Sequence, residues 1–377
     1  MKVLIYDAYA KSSPIGGSNI SLIDFLRKRK EKTEIEYYFL TNQLNKEYYE
    51  KYIRPLGVKE MYMKFPKQLL RYGKVYEKNN LSRLFLILFT MVSFSIKFAS
   101  LLRRKKIDKV IGNELRASLT IGLGASMANK ELITFIRSDY GLQSKMNKLS
   151  LSISSKIICI SKGIYDLLDE NFKHKAKIIN ESVEINNSLI KPYRKESPIN
   201  ILNIANVAPY KNQLTLVKAM REVIKECQDV KLYIIGEQLD KNCLDEMLNY
   251  IEEHKLNDYI EFTGFQSNIN KYLSIGDIYV QPSFNEGLGR SIIEAHLFKM
   301  PVIGSDIPGI QSIIKNEFNG LLFEPKDYLE LSERIIELIR DKSKRILLGE
   351  NGRSYIEENF NLEKNVEEIE RFLQKVI

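Results

Sequence analysis

The sequence predicts an α/β protein made of two doubly wound, Rossmann-like domains that face a cleft. The chain of 377 residues is longer than most single compact cores, so two domains are expected. In both halves, short apolar strand patterns alternate with helix patterns, which is typical of βαβ units and parallel sheets. A polar stretch with two prolines, at 184–200, interrupts this alternation and indicates a linker.

The first half contains an early helix, a long apolar helix and several strand patterns. Ser18 is the expected N-cap of the early helix, directly after the turn KSSPIGGS. Residues 84–102 are the most apolar long segment, but Lys97 interrupts it, so we expect a buried or surface-lying helix rather than a membrane span. The predicted strands are Val3–Tyr6, Glu34–Leu40, Lys109–Gly112, Leu132–Ile136 and Lys156–Ile160.

The second half repeats the alternation after the linker. A helix is expected from Leu288 to about Lys299, because apolar residues recur at helical spacing and Pro301 follows. We therefore predict a first domain at 1–185 and a second at 198–356, with a C-terminal helix at about 357–377 that packs back on the first. The other predicted elements are strands Ile201–Ala205, Lys231–Ile235, Tyr259–Phe262, Ile278–Gln281 and Pro301–Gly304, and helix Gln213–Cys227.

Composition limits the protein class. A hydrophobic fraction of 44% and a charged fraction of 28% are ordinary for a globular protein and argue against long disorder. The three cysteines are far apart, without metal-ligand or disulfide spacing, which favours a reducing cytoplasm. The N-terminal MKVLIYDAY has the pattern of a buried strand rather than a signal peptide.

Charge is distributed unevenly along the chain. Residues 1–180 contain 33 Lys/Arg and 16 Asp/Glu, a net charge of +17, whereas residues 181–377 contain 24 and 32, a net of −8. Such asymmetry suggests that the first half faces an anionic partner, although a solvated basic surface is the alternative. No nucleic-acid-binding motif accompanies it, so acidic lipid is favoured over nucleic acid.

The segment NEGLGRSIIEAHLFKMPVIGSDIPG, at 285–309, contains the most informative chemistry. It places the backbone N–H groups of Gly287, Leu288, Gly289 and Arg290 at a predicted helix start, where such groups lack intrahelical partners. Glycine lets a ligand approach the backbone closely, and the helix N-terminus attracts anions. The sequence therefore predicts a site for a phosphate or diphosphate.

Two carboxylates flank this predicted anion site. Glu286 precedes it and Glu294 lies about one turn inside the helix. Carboxylates accept hydrogen bonds from sugar hydroxyls, so the pattern suits a sugar–diphosphate–nucleoside, with one glutamate on the hexose and the other on the ribose. The alternatives are two ordinary exposed helix residues, or the acid and nucleophile of a glycosidase. A glycosidase, however, has no diphosphate to bind.

A known family carries the same pattern. The stretch VQPSFNEGLGRSIIEAHLFKMPVIGSDIPG resembles the E-x7-E signature of the group 1 (family four) glycosyltransferases, which have the GT-B fold. The resemblance covers nearly the whole chain and is strongest from about residue 200 to 325. Further matching segments are 179–183, 210–212, 234–237, 262–265, 275–277 and 319–323.

The resemblance implies a role for each matched residue. Glu286 would hold hydroxyls of the donor sugar, Glu294 would hold the ribose, and Lys211 would neutralise the diphosphate. The nucleobase would lie between two pairs of residues, Gly236 with Glu237 and Gly264 with Phe265. Gly16 and Gly17 resemble the glycine-rich turn that faces the diphosphate and the acceptor.

The chain also departs from the family pattern. Asn206 replaces an arginine that usually accompanies the lysine, and we predict that it contacts the donor at that position. Our hypothesis is that Arg290 supplies the missing charge. No histidine follows an early strand, where the family often has one near the reacting sugar. Glu114, Arg137 and Asp139 are our candidates for handling the acceptor, although capping or surface pairing is their ordinary role.

The resemblance implies a retaining glycosyltransferase that builds cell-surface polysaccharide: lipopolysaccharide, capsule or exopolysaccharide. Its donor would be a nucleotide sugar such as a UDP- or GDP-sugar, and its acceptor a glycan or a lipid-linked sugar. No Asp-x-Asp motif is present, so we predict no metal and no other cofactor. We expect a cytoplasmic protein, peripheral on the inner face of the plasma membrane through its basic half.

Three alternatives remain at this stage. A sugar-nucleotide epimerase of the same fold would need no acceptor. A noncatalytic glycosyltransferase-like scaffold would account for Asn206 and the missing histidine. A nicotinamide dehydrogenase is suggested only by Gly122–Ser126, which does not lie between a strand and a helix start.

Overall fold

The chain folds into two compact units, each with its own parallel sheet. The structure is a computed structural model that describes residues 1–8, 16–29, 34–66, 81–138, 142–185 and 198–374. The two α/β units confirm the predicted fold class. The first unit comprises Met1–Ile160, Ile164–Ile179 and Val366–Ile377, and the second comprises Ser161–Gly163 and Asn180–Asn365.

The first unit is built on a seven-stranded parallel sheet with the order β3-β2-β1-β4-β5-β6-β7. The order changes direction between β1 and β4, where Tyr6 lies opposite Gly112. Polar residues that follow these two strands therefore emerge side by side at one edge. The strands are β1 (Lys2–Tyr6), β2 (Glu36–Thr41), β3 (Lys59–Tyr62), β4 (Lys109–Gly112), β5 (Glu131–Ile136), β6 (Lys156–Cys159) and β7 (Ala176–Ile178).

Helices cover this sheet because its strands are apolar on both faces. The longest, α3, turns Phe94, Phe98 and Leu102 into the core, where each is almost fully buried. The helices are α1 (Gly17–Lys28), α2 (Lys46–Tyr48), α3 (Leu81–Arg104), α4 (Leu115–Met127), α5 (Lys145–Ile153), α6 (Lys162–Asp166) and α7 (Glu170–Lys173); after α2 come a π turn (Tyr49–Ile53) and a 3-10 turn (Arg54–Leu56).

The first unit also receives the end of the chain. Its contacts include Val366–Ile377, most of which belongs to the last helix. There the Tyr37 hydroxyl donates a hydrogen bond to Glu370 Oε1 at 3.5 Å, and Lys177 lies 2.7 Å from Glu368. The last helix thus packs as a component of the first unit.

The second unit has a six-stranded parallel sheet with the order β10-β9-β8-β11-β12-β13, which changes direction between β8 and β11. The strands are β8 (Ile199–Ile204), β9 (Val230–Ile235), β10 (Ile260–Gly264), β11 (Ile278–Gln281), β12 (Val302–Ser305) and β13 (Gly320–Phe323). The helices are α8 (Gln213–Glu226), α9 (Lys241–Glu253), α10 (Asn270–Leu273), α11 (Arg290–Leu297), α12 (Pro308–Gln311), α13 (Tyr328–Arg340) and α14 (Lys342–Asn359), and a 3-10 turn spans Pro209–Lys211. The last helix, α15 (Leu362–Gln374), belongs mostly to the first unit.

Two predicted helix starts were wrong. Ser18 lies inside α1, because Gly16 is the N-cap and the Asn19 side chain accepts a hydrogen bond from the Gly16 N–H. The helix expected from Leu288 begins at Arg290, because Gly289 adopts a left-handed conformation with φ of 95°. Gly287 and Leu288 therefore belong to the preceding loop.

Three strands were missed: β3, β7 and β13. β3 and β7 each contain only two apolar residues, too few for an apolar run to stand out. Gly122–Ser126, the weak dinucleotide pattern, lies within α4, as its position in the sequence indicated.

Most of the predicted linker, 186–197, is outside the described residues. Within the described part of the chain, no helix has the length and apolarity that crossing a membrane requires.

Candidate functional site

The glycine-rich segment forms a loop, Pro282–Gly289, between β11 and α11, which we call the donor loop. Gly289 has a left-handed φ of 95°, and a Cβ there would lie 2.9 Å from the Ile292 side chain, so a glycine is required. Leu288, only 3% exposed, anchors the loop in the core. The loop therefore turns sharply into the N-terminus of α11.

Two close contacts fix the backbone at the start of this turn. A Cβ on Gly309 would lie 1.8 Å from the Glu286 carbonyl oxygen, so the chain passes there without room for a side chain. The Ser161 hydroxyl donates a hydrogen bond of 2.8 Å to the carbonyl oxygen of Gly287. The carbonyl groups of Glu286 and Gly287 are thus held in position by residues outside the donor loop.

Lys211 and Glu286 form an ion pair. The Lys211 Nζ lies 2.6 Å from Glu286 Oε2, and the two side chains are 16% and 12% exposed. They meet because Lys211 follows β8 and Glu286 follows β11, the neighbouring strands at which the sheet order reverses. In α/β sheets, ligands bind at this reversal, beyond the carboxyl ends of the strands.

Arg290 and Glu294 form a second pair on the first turn of α11. The Arg290 Nε donates to Glu294 Oε1 at 3.0 Å, with side chains that are 16% and 21% exposed. Each predicted donor carboxylate therefore has a predicted donor cation beside it. The N-terminus of α11 adds its partial positive charge to these two cations, which favours an anion beside the donor loop.

The 3-10 turn that carries Lys211 is tied to the donor loop. Asn212 is buried, and its Nδ2 donates hydrogen bonds to the carbonyl oxygens of Pro282 (2.9 Å) and Pro325 (2.8 Å). The backbone N–H of Phe284 donates to the Tyr210 carbonyl at 2.9 Å. Asn212 thus acts as a clamp on the lysine turn, a role that the sequence did not indicate.

A buried polar network lies beneath the donor loop, and sequence reasoning missed it. The Tyr279 hydroxyl lies 2.6 Å from Gln281 Oε1 and 2.7 Å from Ser291 Oγ, and Gln281 Nε2 donates to Ser283 Oγ at 2.8 Å. Burial raises the pKa of Tyr279, and the nearby carboxylates of Glu286 and Glu294 add to this. The tyrosine is therefore a neutral group that links β11 to the first turn of α11.

The residues predicted to frame the nucleobase lie where β9 and β10 end, and Asn206 follows the neighbouring strand β8. Asn206 Oδ1 accepts a hydrogen bond of 3.0 Å from the backbone N–H of Glu237, and the Gly236 N–H donates to Gly264 at 3.0 Å. A Cβ on Gly236 would lie 2.2 Å from the Ala205 carbonyl. Asn206 therefore joins two strand ends.

These strand ends also carry an exposed aromatic ring and a buried carboxylate oxygen. Phe265, which follows β10, is 57% exposed, an unusual position for a large apolar ring. The Glu237 side chain carries a buried oxygen, Oε2, that makes no hydrogen bond. An aromatic surface and a carboxylate acceptor are suited to a flat heterocycle and its N–H groups.

The first unit holds the other candidates. Gly16 and Gly17 are exposed at the start of α1, Glu114 precedes α4, and Arg137 follows β5. Glu114 has φ of 143° and ψ of 157°, a conformation that side chains rarely adopt. Asp139 lies outside the described residues.

His296 is a core residue on α11. It is fully buried, and burial lowers its pKa to about 4, so the ring is neutral near neutral pH. A Cβ on Gly352 would lie 2.1 Å from its Nδ1, which shows how closely α14 packs there. Among the described residues, no group of three or more His, Cys, Asp or Glu side chains is arranged to hold a metal ion.

Comparisons with known proteins point to a single family. The sequence profile of the family "Glycosyl transferases group 1" matches residues 186–355. An uncharacterized glycosyltransferase of Methanocaldococcus jannaschii is 30% identical over 257 residues, which cover 65% of this chain and 69% of that protein. The capsular polysaccharide biosynthesis glycosyltransferase CapM of Staphylococcus aureus is 25% identical, over 60% of this chain and 63% of CapM, slightly less than two thirds of its length.

Solved structures show the same fold. HepE of Anabaena, solved in complex with UDP, aligns over 100% of both chains with a TM-score of 0.79. The sequence identity is 17%, so this likeness supports the fold alone.

Proposed function

The chain belongs to the group 1 glycosyltransferases, and on that premise we propose that it moves a sugar from a nucleoside diphosphate donor to a glycan or lipid-linked acceptor. One observation carries the proposal: the Lys211–Glu286 pair lies beside a glycine-rich helix start at the reversal of the sheet order. This places a cation, an anion-binding backbone and a hydroxyl acceptor together, as a sugar diphosphate requires.

The cations of the site stabilise the leaving group, and the carboxylates bind the donor hydroxyls. Departure of the nucleoside diphosphate leaves negative charge on its oxygen, and preorganised positive charge lowers the energy of that state. Lys211, Arg290 and the N-terminus of α11 supply it. Glu286 holds hydroxyls of the transferred sugar and Glu294 holds the ribose. The ion pairs keep both cations fixed before the donor arrives, so little reorganisation accompanies the reaction.

The stereochemistry of the transfer and its independence of metal ions are part of the same proposal. We propose retention of the anomeric configuration and catalysis without a metal or other cofactor, because Lys211 and Arg290 provide the charge that a bridging metal would otherwise supply. Excess EDTA should then leave the transfer rate unchanged, and NMR of the product should show the anomeric configuration of the donor. A rate that EDTA abolishes and Mg²⁺ or Mn²⁺ restores would contradict metal independence.

A thermal-shift panel of nucleotide sugars tests the donor directly. We expect a UDP- or GDP-sugar to raise the melting temperature, since a ligand at 100 times its Kd stabilises a protein by about 2.7 kcal/mol. HepE was solved with UDP, which makes UDP-sugars the first choice. The same panel against Glu294→Ala should show a smaller shift, because the ribose contact is lost.

Product analysis separates the alternatives. Transfer to an acceptor, or slow hydrolysis of the donor without one, supports a glycosyltransferase. Release of an altered sugar nucleotide would indicate an epimerase, and no turnover despite binding would indicate a scaffold. We propose a cell-surface polysaccharide such as capsule, lipopolysaccharide or exopolysaccharide as the product, a role for which the likeness to CapM is the support.

A surface on the first unit supports a membrane-bound acceptor. On α3, the side chains of Leu88, Phe89, Val92 and Ile96 are between 43% and 65% exposed, and helical spacing places all four on one face. Exposed basic residues follow at 103–106. We call these eight residues the α3 patch. Apolar side chains beside Lys and Arg suit the interface of an anionic bilayer.

We therefore propose that the α3 patch binds the protein to the inner face of the plasma membrane. The double variant Phe89→Ser/Ile96→Ser should lose sedimentation with vesicles rich in phosphatidylglycerol, because the apolar contact is removed. Leu329→Ser/Leu347→Ser changes two comparably exposed side chains of the second unit and should bind as wild type does. Equal recovery of the wild type on anionic and neutral vesicles at low salt would contradict the proposal.

A further inference from the structure

A buried carboxylate organises the first unit at the point where its strand order reverses. Asp7 directly follows β1, is 1% exposed, and accepts two amide hydrogen bonds at its Oδ2. One comes from Asn113, which follows β4, at 2.7 Å, and the other from Asn19 of α1, at 2.9 Å. Both asparagines are also buried.

Each asparagine connects Asp7 to a predicted site residue. Asn19 Oδ1 accepts a hydrogen bond from the Gly16 N–H at 3.4 Å, which connects Asp7 to the glycine turn. Asn113 Oδ1 accepts from Arg137 Nε at 2.7 Å. Because the Nδ2 of Asn113 donates to Asp7, its Oδ1 is turned toward the arginine.

Arg137 is fixed on a second side as well. Its guanidinium lies 5.1 Å from the centre of the Phe135 ring, and the residue is partly exposed. A guanidinium held at Nε and over an aromatic ring has a defined plane, and a planar fork of N–H groups matches an oxyanion. Arg137 is therefore oriented for a phosphate-like group at the edge of the sheet.

The adjacent backbone is strained. Glu114 follows Asn113 immediately, and its positive φ costs on the order of 1–3 kcal/mol for a residue with a side chain. A buried charge also costs stability unless it is well paired, and apolar residues would fill the same space at lower cost. Strain and a buried carboxylate at a strand-order reversal are together typical of a binding site rather than of a core.

We propose that Asp7 is a positioning residue which, through Asn113, aims Arg137 at a phosphate group of the acceptor. This inference rests on the proposed function, since it assigns the chemical class of the acceptor. The phosphate belongs either to a lipid-linked sugar or to a soluble phosphorylated glycan. In either case Asp7 does not touch the ligand, and its effect passes through Arg137.

Phosphate binding to the full chain tests the proposal. With the donor site saturated by UDP or GDP, inorganic phosphate and farnesyl phosphate are titrated while the melting temperature is followed, against KCl at equal ionic strength. We expect Arg137→Ala and Asp7→Asn each to weaken the binding about 10–100-fold, the usual effect of losing charge-assisted hydrogen bonds. A stronger response to farnesyl phosphate would identify a lipid-linked source, and equal responses a soluble one.

A double-mutant cycle separates positioning from general stability. If Asp7 acts through Arg137, then Asp7→Asn/Arg137→Ala binds phosphate no more weakly than Arg137→Ala alone. Additive losses would overturn the proposal. Asn113→Ser breaks the hydrogen bonds that connect Asp7 to Arg137. It therefore tests the same connection if Asp7→Asn fails to fold. Asp24→Asn is the control, since Asp24 is also buried, at 6% exposure, but pairs with Arg27 on α1.

Donor binding distinguishes the two proposals. Nucleotide stabilisation that survives in Asp7→Asn and Arg137→Ala, together with lost phosphate binding, supports both. Failure of the wild type to bind any nucleotide would overturn the proposed function, whereas the Arg137-dependence of the phosphate response, measured without nucleotide, still decides this inference. Phosphate binding that is equal in the wild type and Arg137→Ala would overturn it.

Discussion

Lys211→Ala is expected to slow sugar transfer by about 10²–10³-fold, the usual effect of removing one charge-stabilising group from a developing oxyanion. Lys211 lies 2.6 Å from Glu286, and both side chains are largely buried. The substitution therefore removes the cation at the leaving group and also leaves a buried carboxylate unpaired. Since charge on the leaving oxygen is greatest in the transition state, kcat should fall more than donor affinity.

Two further variants show whether the loss of turnover in Lys211→Ala reflects catalysis or stability. Lys225→Ala removes an exposed lysine from α8 and should retain wild-type turnover. Lys211→Ala/Glu286→Gln restores charge balance, so it should recover stability but not rate. Wild-type kcat in Lys211→Ala, with the melting temperature preserved, would exclude Lys211 from catalysis.

Gly309→Ala is expected to be the most damaging single-methyl change in the second unit. The added Cβ would lie 1.8 Å from the Glu286 carbonyl oxygen, so one of the two backbones must move. Overpacking of this kind costs about 1–3 kcal/mol of unfolding free energy. A 1 Å displacement of Glu286 would also lower turnover by about 10²-fold, because catalysis depends on the position of reacting groups.

Gln311→Ala is the matched control for this prediction. It lies on the same short helix, α12, and its side-chain amide donates a hydrogen bond to the nearby Asp306 at the surface. Denaturant unfolding and steady-state kinetics of both variants give the comparison. A Gly309→Ala protein with wild-type kcat and stability would show that the donor loop tolerates displacement.

Sequence patterns predicted the architecture well where elements are long or fully apolar. Strands Lys109–Gly112 and Ile278–Gln281 have the predicted bounds because a short apolar run between polar residues has few alternative interpretations. Helix starts were less predictable. Gly16 and Gly289 cap α1 and α11 through backbone conformation, which a sequence of glycines and serines does not specify.

The candidate site was predicted as residue types rather than as geometry. Lys211 and Glu286 were named separately, but their contact depends on β8 lying beside β11, which is a property of the whole sheet. Asn212 illustrates the limit most clearly. Its partners, Pro282 and Pro325, are 70 and 113 residues away, so no local pattern marks it as a clamp.

Asp7 was missed for a related reason. A polar residue after a buried strand is common, and only the neighbouring strand end shows that Asn113 lies against it. Asn206, in contrast, was singled out as a departure from the family pattern. The structure gives it a local task, joining Glu237 to the end of β8, and donor binding by this residue stays a prediction.

The last helix has a consequence for how the protein is made. The first unit includes Val366–Ile377, which leave the ribosome about 190 residues after Ile179. At about 5–20 residues per second, that interval lasts on the order of 10–40 seconds during translation. During that interval the nascent first unit lacks its last helix, and Tyr37 lacks its hydrogen-bond partner Glu370, so chaperones have that time to engage the unit.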